Sequence, residues 1–365
     1  MTKTLVKKIL VQCIYTPQTR YENSDIVAYK RIPEFGIAQS VPGSGRDDGA
    51  EPSMTYLSAR KQLALHFLGI PTANLSTVSL NTPAAMSRRP THAAVTQFIA
   101  AVLPPKANDV QLMYHTPRHP KYDANTARVD QIVLSVTPTP GLYDIVGYAA
   151  WTESKTAIPR PSRTVCFLHR PFTLERRRVR SGTLVLASHT SFDETLTVGW
   201  NVALAGRLGL DVDQAVCVQG YKGDVERKIG VVGQVSLRRD ALEKRITQEF
   251  GAVEAIYEGI SDGIRVVAIM NAFNLSEVRR VLNMAQERGW IPEGEDSGRQ
   301  VLYLTGQARE GGLIAAKECG MSVVCVGHRS AEEWGIRYMS AALRTAFPGV
   351  RVKELYEEET FDTLD

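Results

Sequence analysis

The chain has 365 residues, 44% of them hydrophobic and 22% charged, enough apolar material for two cores rather than a single modest one. A net charge of +4 is too mild to call for a nucleic-acid partner, and no stretch approaches the ~20 apolar residues of a membrane span. Five cysteines, an odd number at irregular spacings, argue against a disulfide framework and for a reducing, cytoplasmic compartment.

From Met1 to Tyr21 the chain carries Lys3, Lys7, Lys8 and Arg20 and no acid. That pattern is compatible with a mitochondrial address, the alternative to a cytoplasmic one, but serines and arginines are few, and Val6, Ile9, Leu10, Val11 and Ile14 equally suit a strand or short helix. Gly36 to Pro52 reads as a linker or mobile loop, Ser58 to Leu68 has helical spacing, and Asn74 to Arg89 is loop-like. Residues 1–88 therefore form an N-terminal extension, partly flexible.

From there helices and strands alternate, as in α/β proteins. Helical spacing over Ala94 to Leu103 stops at Pro104-Pro105. Strands are expected over Gln131 to Val136, Thr164 to Leu168 and Thr183 to Ala187, with a helix around Leu142 to Ala149. One helix is expected from Asp193 to Leu208. Further strands, Gln214 to Gln219 and Val231 to Leu237, flank a loop from Gly220 to Gly230. Arg239 to Phe250, Leu275 to Arg288 and Gly311 to Cys319 have helical patterns, and Ile264 to Ile269, Gln300 to Leu304 and Met321 to Val326 read as strands. Ile336, Met339, Leu343 and Phe347 mark a closing helix before Pro348-Gly349. The division is a first α/β lobe over 89–210, a second over 211–300 and a C-terminal segment over 301–365.

Two strand ends carry candidate metal ligands. Val323 to Val326 runs into Gly327-His328, with Glu332 four residues on; Thr183 to Ala187 runs into Ser188-His189, with Asp193 four residues on. Spacing of four puts both side chains on one face of a helix start, and imidazole with carboxylate suits zinc, manganese or iron. Three of the seven histidines have an acid at that spacing, against about 0.75 expected from 39 acids in 365 residues. The third pair, His119 with Asp123, sits in a loop containing Pro120 and Lys121 rather than where a strand hands over to a helix, so it reads as solvated surface. The competing reading of the other two is structural: His328 as a helix cap and Asp193 as a first-turn acid. Cys166-x-x-His169 and Cys325-x-x-His328 share a spacing, but residues three apart on a strand face opposite sides, so the cysteines are expected in the core. Arg176-Arg177-Arg178-Val179-Arg180 reads as a solvated turn, or else as an anion contact.

Gly327-His328-x-x-x-Glu332-x-x-Gly335, His189-Thr190-x-x-Asp193 and Leu168-His169-Arg170-Pro171-Phe172 together resemble the three metal motifs of the Ngg-one-interacting factor three family, also described as GTP cyclohydrolase I type-two-like. Gly199-Trp200-Asn201, Leu204 to Leu210, Ile229-Gly230-x-Val232-Gly233, Thr305-Gly306 and Ala315-Ala316 extend the similarity over roughly residues 91–356. The resemblance implies two α/β lobes with mixed sheets, a metal cleft between them, a C-terminal segment returning to the first lobe with the last motif, a dinuclear centre and a homo-oligomer, a hexamer. It also implies His169, Asp193, His328 and Glu332 as ligands of one or two divalent ions. This chain departs from the pattern at Arg170, where a second histidine is expected, at Gln307 in place of glutamate, at Met270-Asn271-Ala272-Phe273 in place of a glycine-serine-glycine turn, and at Asn108-Asp109-Val110-Gln111 in place of tryptophan-aspartate-asparagine. The centre is therefore expected to be mononuclear or altered.

The function expected from these residues is metal-dependent hydrolysis of a small anionic, phosphorylated or heterocyclic compound through an activated water. His189 is expected as ligand, proton shuttle or partner of a ligand, Glu333 as a base, and Arg170 as a contact for an anionic substrate group. The alternative, suggested by the family's name, is a metal-binding regulatory or interaction factor with a protein partner and no turnover.

Overall fold

The computed structural model describes residues 89–148, 163–294 and 296–356; the expectations for residues 1–88 lie outside them. In chain order come helix α1 (His92–Val102), strands β1 (Met113–His115) and β2 (Gln131–Ser135), helix α2 (Pro140–Val146), and strands β3 (Thr164–Leu168) and β4 (Leu184–Ala187). Helices α3 (Thr190–Thr195) and α4 (Val202–Leu208) follow, then strands β5 (Val216–Tyr221) and β6 (Asp224–Arg238), helix α5 (Arg239–Phe250), and strands β7 (Ala255–Tyr257) and β8 (Gly263–Met270). Helix α6 (Leu275–Glu287), strand β9 (Val301–Thr305), helix α7 (Glu310–Glu318), strand β10 (Ser322–Cys325), helix α8 (His328–Ala346) and strand β11 (Arg351–Leu355) complete it.

The strands make two mixed sheets, ordered β1-β4-β3-β2-β11 and β5-β6-β8-β9-β10-β7. In the first, β4, β3, β2 and β11 are parallel and β1 is antiparallel. In the second, β8, β9 and β10 are parallel, while β5, β6 and β7 pair antiparallel. The parallel strands read as unbroken apolar runs because both faces are covered. Ile132, Leu134, Val165, Phe167, Leu184 and Leu186 of the first sheet share a core with Val267, Ile269, Leu302, Leu304 and Val324 of the second and with α1, α4, α5 and α8. The alternate residues, Val133, Cys166, Leu168 and Val185, meet α2 on the far face of the first sheet. Val266, Ala268, Val301, Tyr303, Val323 and Cys325 meet α6 and α7 on the far face of the second. Cys166 and Cys325 thus sit in the cores behind their histidines. Burial pushes both thiols up, that of Cys325 to about 11, which makes them poor thiolate ligands.

Three local expectations are corrected. The expected loop Gly220–Gly230 is the tip of a long β5–β6 hairpin, turned by Lys222 (φ 49°) and Gly223 (φ 86°), as a two-residue hairpin with positive φ at both positions requires. The expected helix from Asp193 to Leu208 is two helices. At Gly199 an added Cβ would lie 2.7 Å from the carbonyl oxygens of Asp193 and Glu194, and Asn201 restarts the chain by accepting from the Leu204 N–H at 2.9 Å. The segment expected to return from residue 301 first completes the second sheet with β9 and β10; the return starts at α8 and ends with β11 beside β2. The arginine cluster is the exposed turn expected, with Arg176, Arg177 and Arg178 all at the surface; Arg176 lies over Tyr114 at 4.5 Å and Arg178 over Tyr143 at 3.9 Å. No helix among the described residues is long and apolar enough to cross a membrane.

Candidate metal centre

His169 follows β3 on the face that Phe167 uses, inside the shared core. Its ring is fully buried and lies 4.4 Å from Phe192, stacked at 27°, with Phe192 stacked in turn on Phe167. Nδ1 is 3.2 Å from the Ser188 carbonyl oxygen, which can only accept, so Nδ1 carries the proton donated there. Nε2 is thereby aimed at two carboxylates, Glu332 Oε1 at 3.1 Å and Asp193 Oδ1 at 3.3 Å. Burial disfavours a charged ring, but hydrogen bonds and charge from Asp193 and Glu332 overcome it and hold the imidazole at about 9. The same contacts, with His328, outweigh burial at Glu332 and hold that carboxyl at about 2. A positive charge between these two oxygens is therefore strongly favoured, whether a proton or a metal ion supplies it.

The turn bearing His189 and Asp193 is fixed by a residue from another segment. Asp109 accepts from the backbone N–H groups of His189 (2.9 Å), Thr190 (2.9 Å) and Ser191 (3.0 Å) and from the Ser188 hydroxyl (3.1 Å). Burial raises its carboxyl pKa, and those donors more than reverse the shift, holding it below the usual carboxylate range. It does for α3 what an N-cap side chain normally does, since His189 at that position makes no cap bond. At the other end the Asn271 amide donates to the Asp193 carbonyl at 2.7 Å and accepts from the Thr197 hydroxyl at 3.1 Å. Asp193 Oδ2 lies 3.8 Å from Arg227, reaching over from β6.

Glu332 is delivered by α8. The helix begins after Gly327 (φ 88°), which makes no side-chain cap bond, so His328 is not a cap. One turn past Glu332, Gly335 packs so closely that a Cβ would meet the Phe192 ring at 2.5 Å and the Leu196 carbonyl oxygen at 2.6 Å. That approach seats Glu332 against His169.

The seven expected site residues are distributed as follows. His169, His189 and Asp193 each offer a ligand atom, all within 4.8 Å of one another. His189 is half-buried, its pKa lowered mainly by burial, and its Nδ1 is buried without a hydrogen-bond partner, as suits a neutral donor awaiting a cation. Glu332 adjoins this group through Oε1, but the same oxygen takes Arg170 Nη2 at 2.6 Å and His328 Nε2 at 3.3 Å. Arg170 Nη2 also lies against His328 Nε2, the atom that a ligand role would need. Ring nitrogens and a carboxylate with an unpaired donor fit one divalent ion at the first group. The Arg170 side does not fit a second, because a guanidinium cannot ligate and repels a cation. Glu333 turns to Arg329 at 2.7 Å instead. Asp109, Arg227 and Asn271 were not expected as site residues; of these, only the aspartate and asparagine fell in stretches marked as departures from a motif.

No family model matches the sequence, and no curated protein matches it. Among solved structures the fold is similar to Staphylococcus aureus hypothetical protein SA1388, with 13% identity, 74% of this chain and 98% of that chain covered, and a TM-score of 0.49. It is similar to reduced HcgD from Methanocaldococcus jannaschii, with 14% identity, 73% and 98% covered, and a TM-score of 0.47. It is also similar to a Bacillus cereus protein related to NIF3, with 12% identity, 75% and 98% covered, and a TM-score of 0.45.

Proposed function

We propose that His169, His189 and Asp193 hold one divalent ion, zinc, manganese or iron, and that the site hydrolyses a small anionic compound, phosphorylated or heterocyclic. The observation that carries this reading is the convergence of three ligand atoms within 4.8 Å, one of them on His169, whose Nδ1 is committed to the Ser188 carbonyl, the arrangement that orients metal-bound imidazoles. When bound, such an ion supplies Lewis-acid chemistry and acidifies water toward neutral pH. The chain's own groups do the rest. Glu332 Oε1, beside His169 Nε2 at 3.1 Å, completes the ligand set. Arg170 presents N–H donors to negative charge on the substrate, and Phe192 and the core behind it exclude solvent from the His169 side.

The test begins with full-length chain purified without added ions, its metal content measured, followed by assay on a panel of phosphoesters and nucleotides. One ion per chain is expected, with turnover that Asp193→Asn abolishes together with the ion. Stoichiometric metal without turnover, with binding of a protein partner retained in the same variant, would overturn the hydrolase reading in favour of the regulatory one.

A further inference from the structure

Three side chains stand on the solvent side of the metal centre, each touching one of its members. Phe172 is 60% exposed, an unusual exposure for an aromatic ring that is held in place. The Leu174 N–H donates to the Pro171 carbonyl at 3.0 Å, which closes a turn around it, and its ring meets that of His189 edge-on at 5.3 Å and 87°. Arg170 and Arg227 are 33% and 36% exposed. Arg170 meets Glu332 and His328 through Nη2 alone, leaving most of a guanidinium's five donors. Arg227 stays 3.8 Å from Asp193, too far for a hydrogen bond.

Charge points the same way. Asp109, Asp193 and Glu332 bring three negative charges to the centre, and the two arginines with one divalent ion bring four positive ones. The loaded centre is therefore in positive excess and favours an anionic ligand. We infer that this rim is a binding site for a planar aromatic ring bearing a phosphate-like or carboxylate group, the ring resting on Phe172 and the anion between Arg170 and Arg227. The inference deepens the function proposed above and rests on it for the excess charge; the three side chains are in place without it.

Calorimetric titration of the full chain, metal-loaded and metal-stripped, with phenylphosphonate, methylphosphonate and benzoate tests this. The two phosphonates share an anion and differ by the ring, and benzoate reports whether a carboxylate serves as well. Phenylphosphonate is expected to bind about 10-fold more tightly than methylphosphonate to the loaded chain. Phe172→Ala should remove that preference, and Phe172→Tyr should restore it; Arg227→Gln should weaken both phosphonates. A preference that survives Phe172→Ala, or no binding of either phosphonate, overturns the inference. So does a Phe172→Ala variant that changes sedimentation but not the preference, which would assign the ring to an interface between copies. Metal content of the same samples keeps the two ideas apart: a bound ion without ring preference defeats only the rim, a bound ion with ring preference but no turnover defeats only the hydrolase reading, and a chain that takes no ion loses the excess charge and defeats both.

Discussion

The two halves of the candidate centre share one oxygen, Glu332 Oε1, and differ in what balances its charge. On one side, His169, His189 and Asp193 converge with a buried ring nitrogen of His189 left unpartnered, and in the proposed function a divalent ion from outside supplies the positive charge. On the other, Arg170 lies against both Glu332 and His328, and the cation is covalently part of the chain. A carboxylate in a low-dielectric pocket must be neutralised; at Glu332 the Arg170 guanidinium does so on one side, and in the proposed function an ion does so on the other.

That contrast can be broken most forcefully at Asp193. Asp193→Asn removes the only carboxylate in the three-residue group and should lower metal affinity at least 100-fold, read by competition with a metallochromic indicator. Unchanged affinity would place the ion elsewhere. Arg170→His exchanges the built-in cation for a ligand and should raise the ion count from one per chain to two, measured by elemental analysis; a count that stays at one would show that more than the guanidinium keeps the second ion out. Asp109→Ala leaves three backbone N–H groups at the start of α3 without their acceptor. It is expected to weaken the ion by about 10- to 100-fold, as loss of groups supporting metal ligands does, and to cost about 0.5–2 kcal/mol of stability. The visible absorption of a cobalt-substituted sample would show the displaced ligands directly.

Gly335→Ala acts through packing. The added methyl meets the Phe192 ring and the Leu196 backbone, so about 1–3 kcal/mol of stability should be lost in denaturant unfolding, with Glu332 pushed away from His169. Smallest of all is Glu333→Gln. Its carboxylate belongs to Arg329, and metal content and turnover should stay within about two-fold of the parent, the range of an exposed ion pair. A large loss would restore Glu333 as a base.

Much of the fold was legible because β2, β3, β4, β8, β9 and β10 are apolar on both faces and stand out from polar surroundings. The strands that escaped notice lack that signal. β11 reads Arg-Val-Lys-Glu-Leu, with charges on its open face, β1 and β7 are three residues long, and the start of β6 carries Glu226, Arg227 and Lys228 where a loop was expected. The helix break at Gly199 comes from carbonyls of the preceding turn and from Asn271, which local periodicity cannot report. In the site, the spacing of four drew attention to His189 with Asp193 and to His328 with Glu332, since each pair lies on a single helix start. Asp109 and Arg227 reach the centre from segments about 80 and 30 residues away from α3, and no periodic pattern links them to it.

In the proposed function the chain takes one ion, on the histidine side, because Arg170 already fills the other. Anomalous diffraction from crystals grown with zinc or manganese tests it most directly. A single peak among His169, His189 and Asp193 is the expected result; a peak between His328 and Glu332, or none at all, would contradict it.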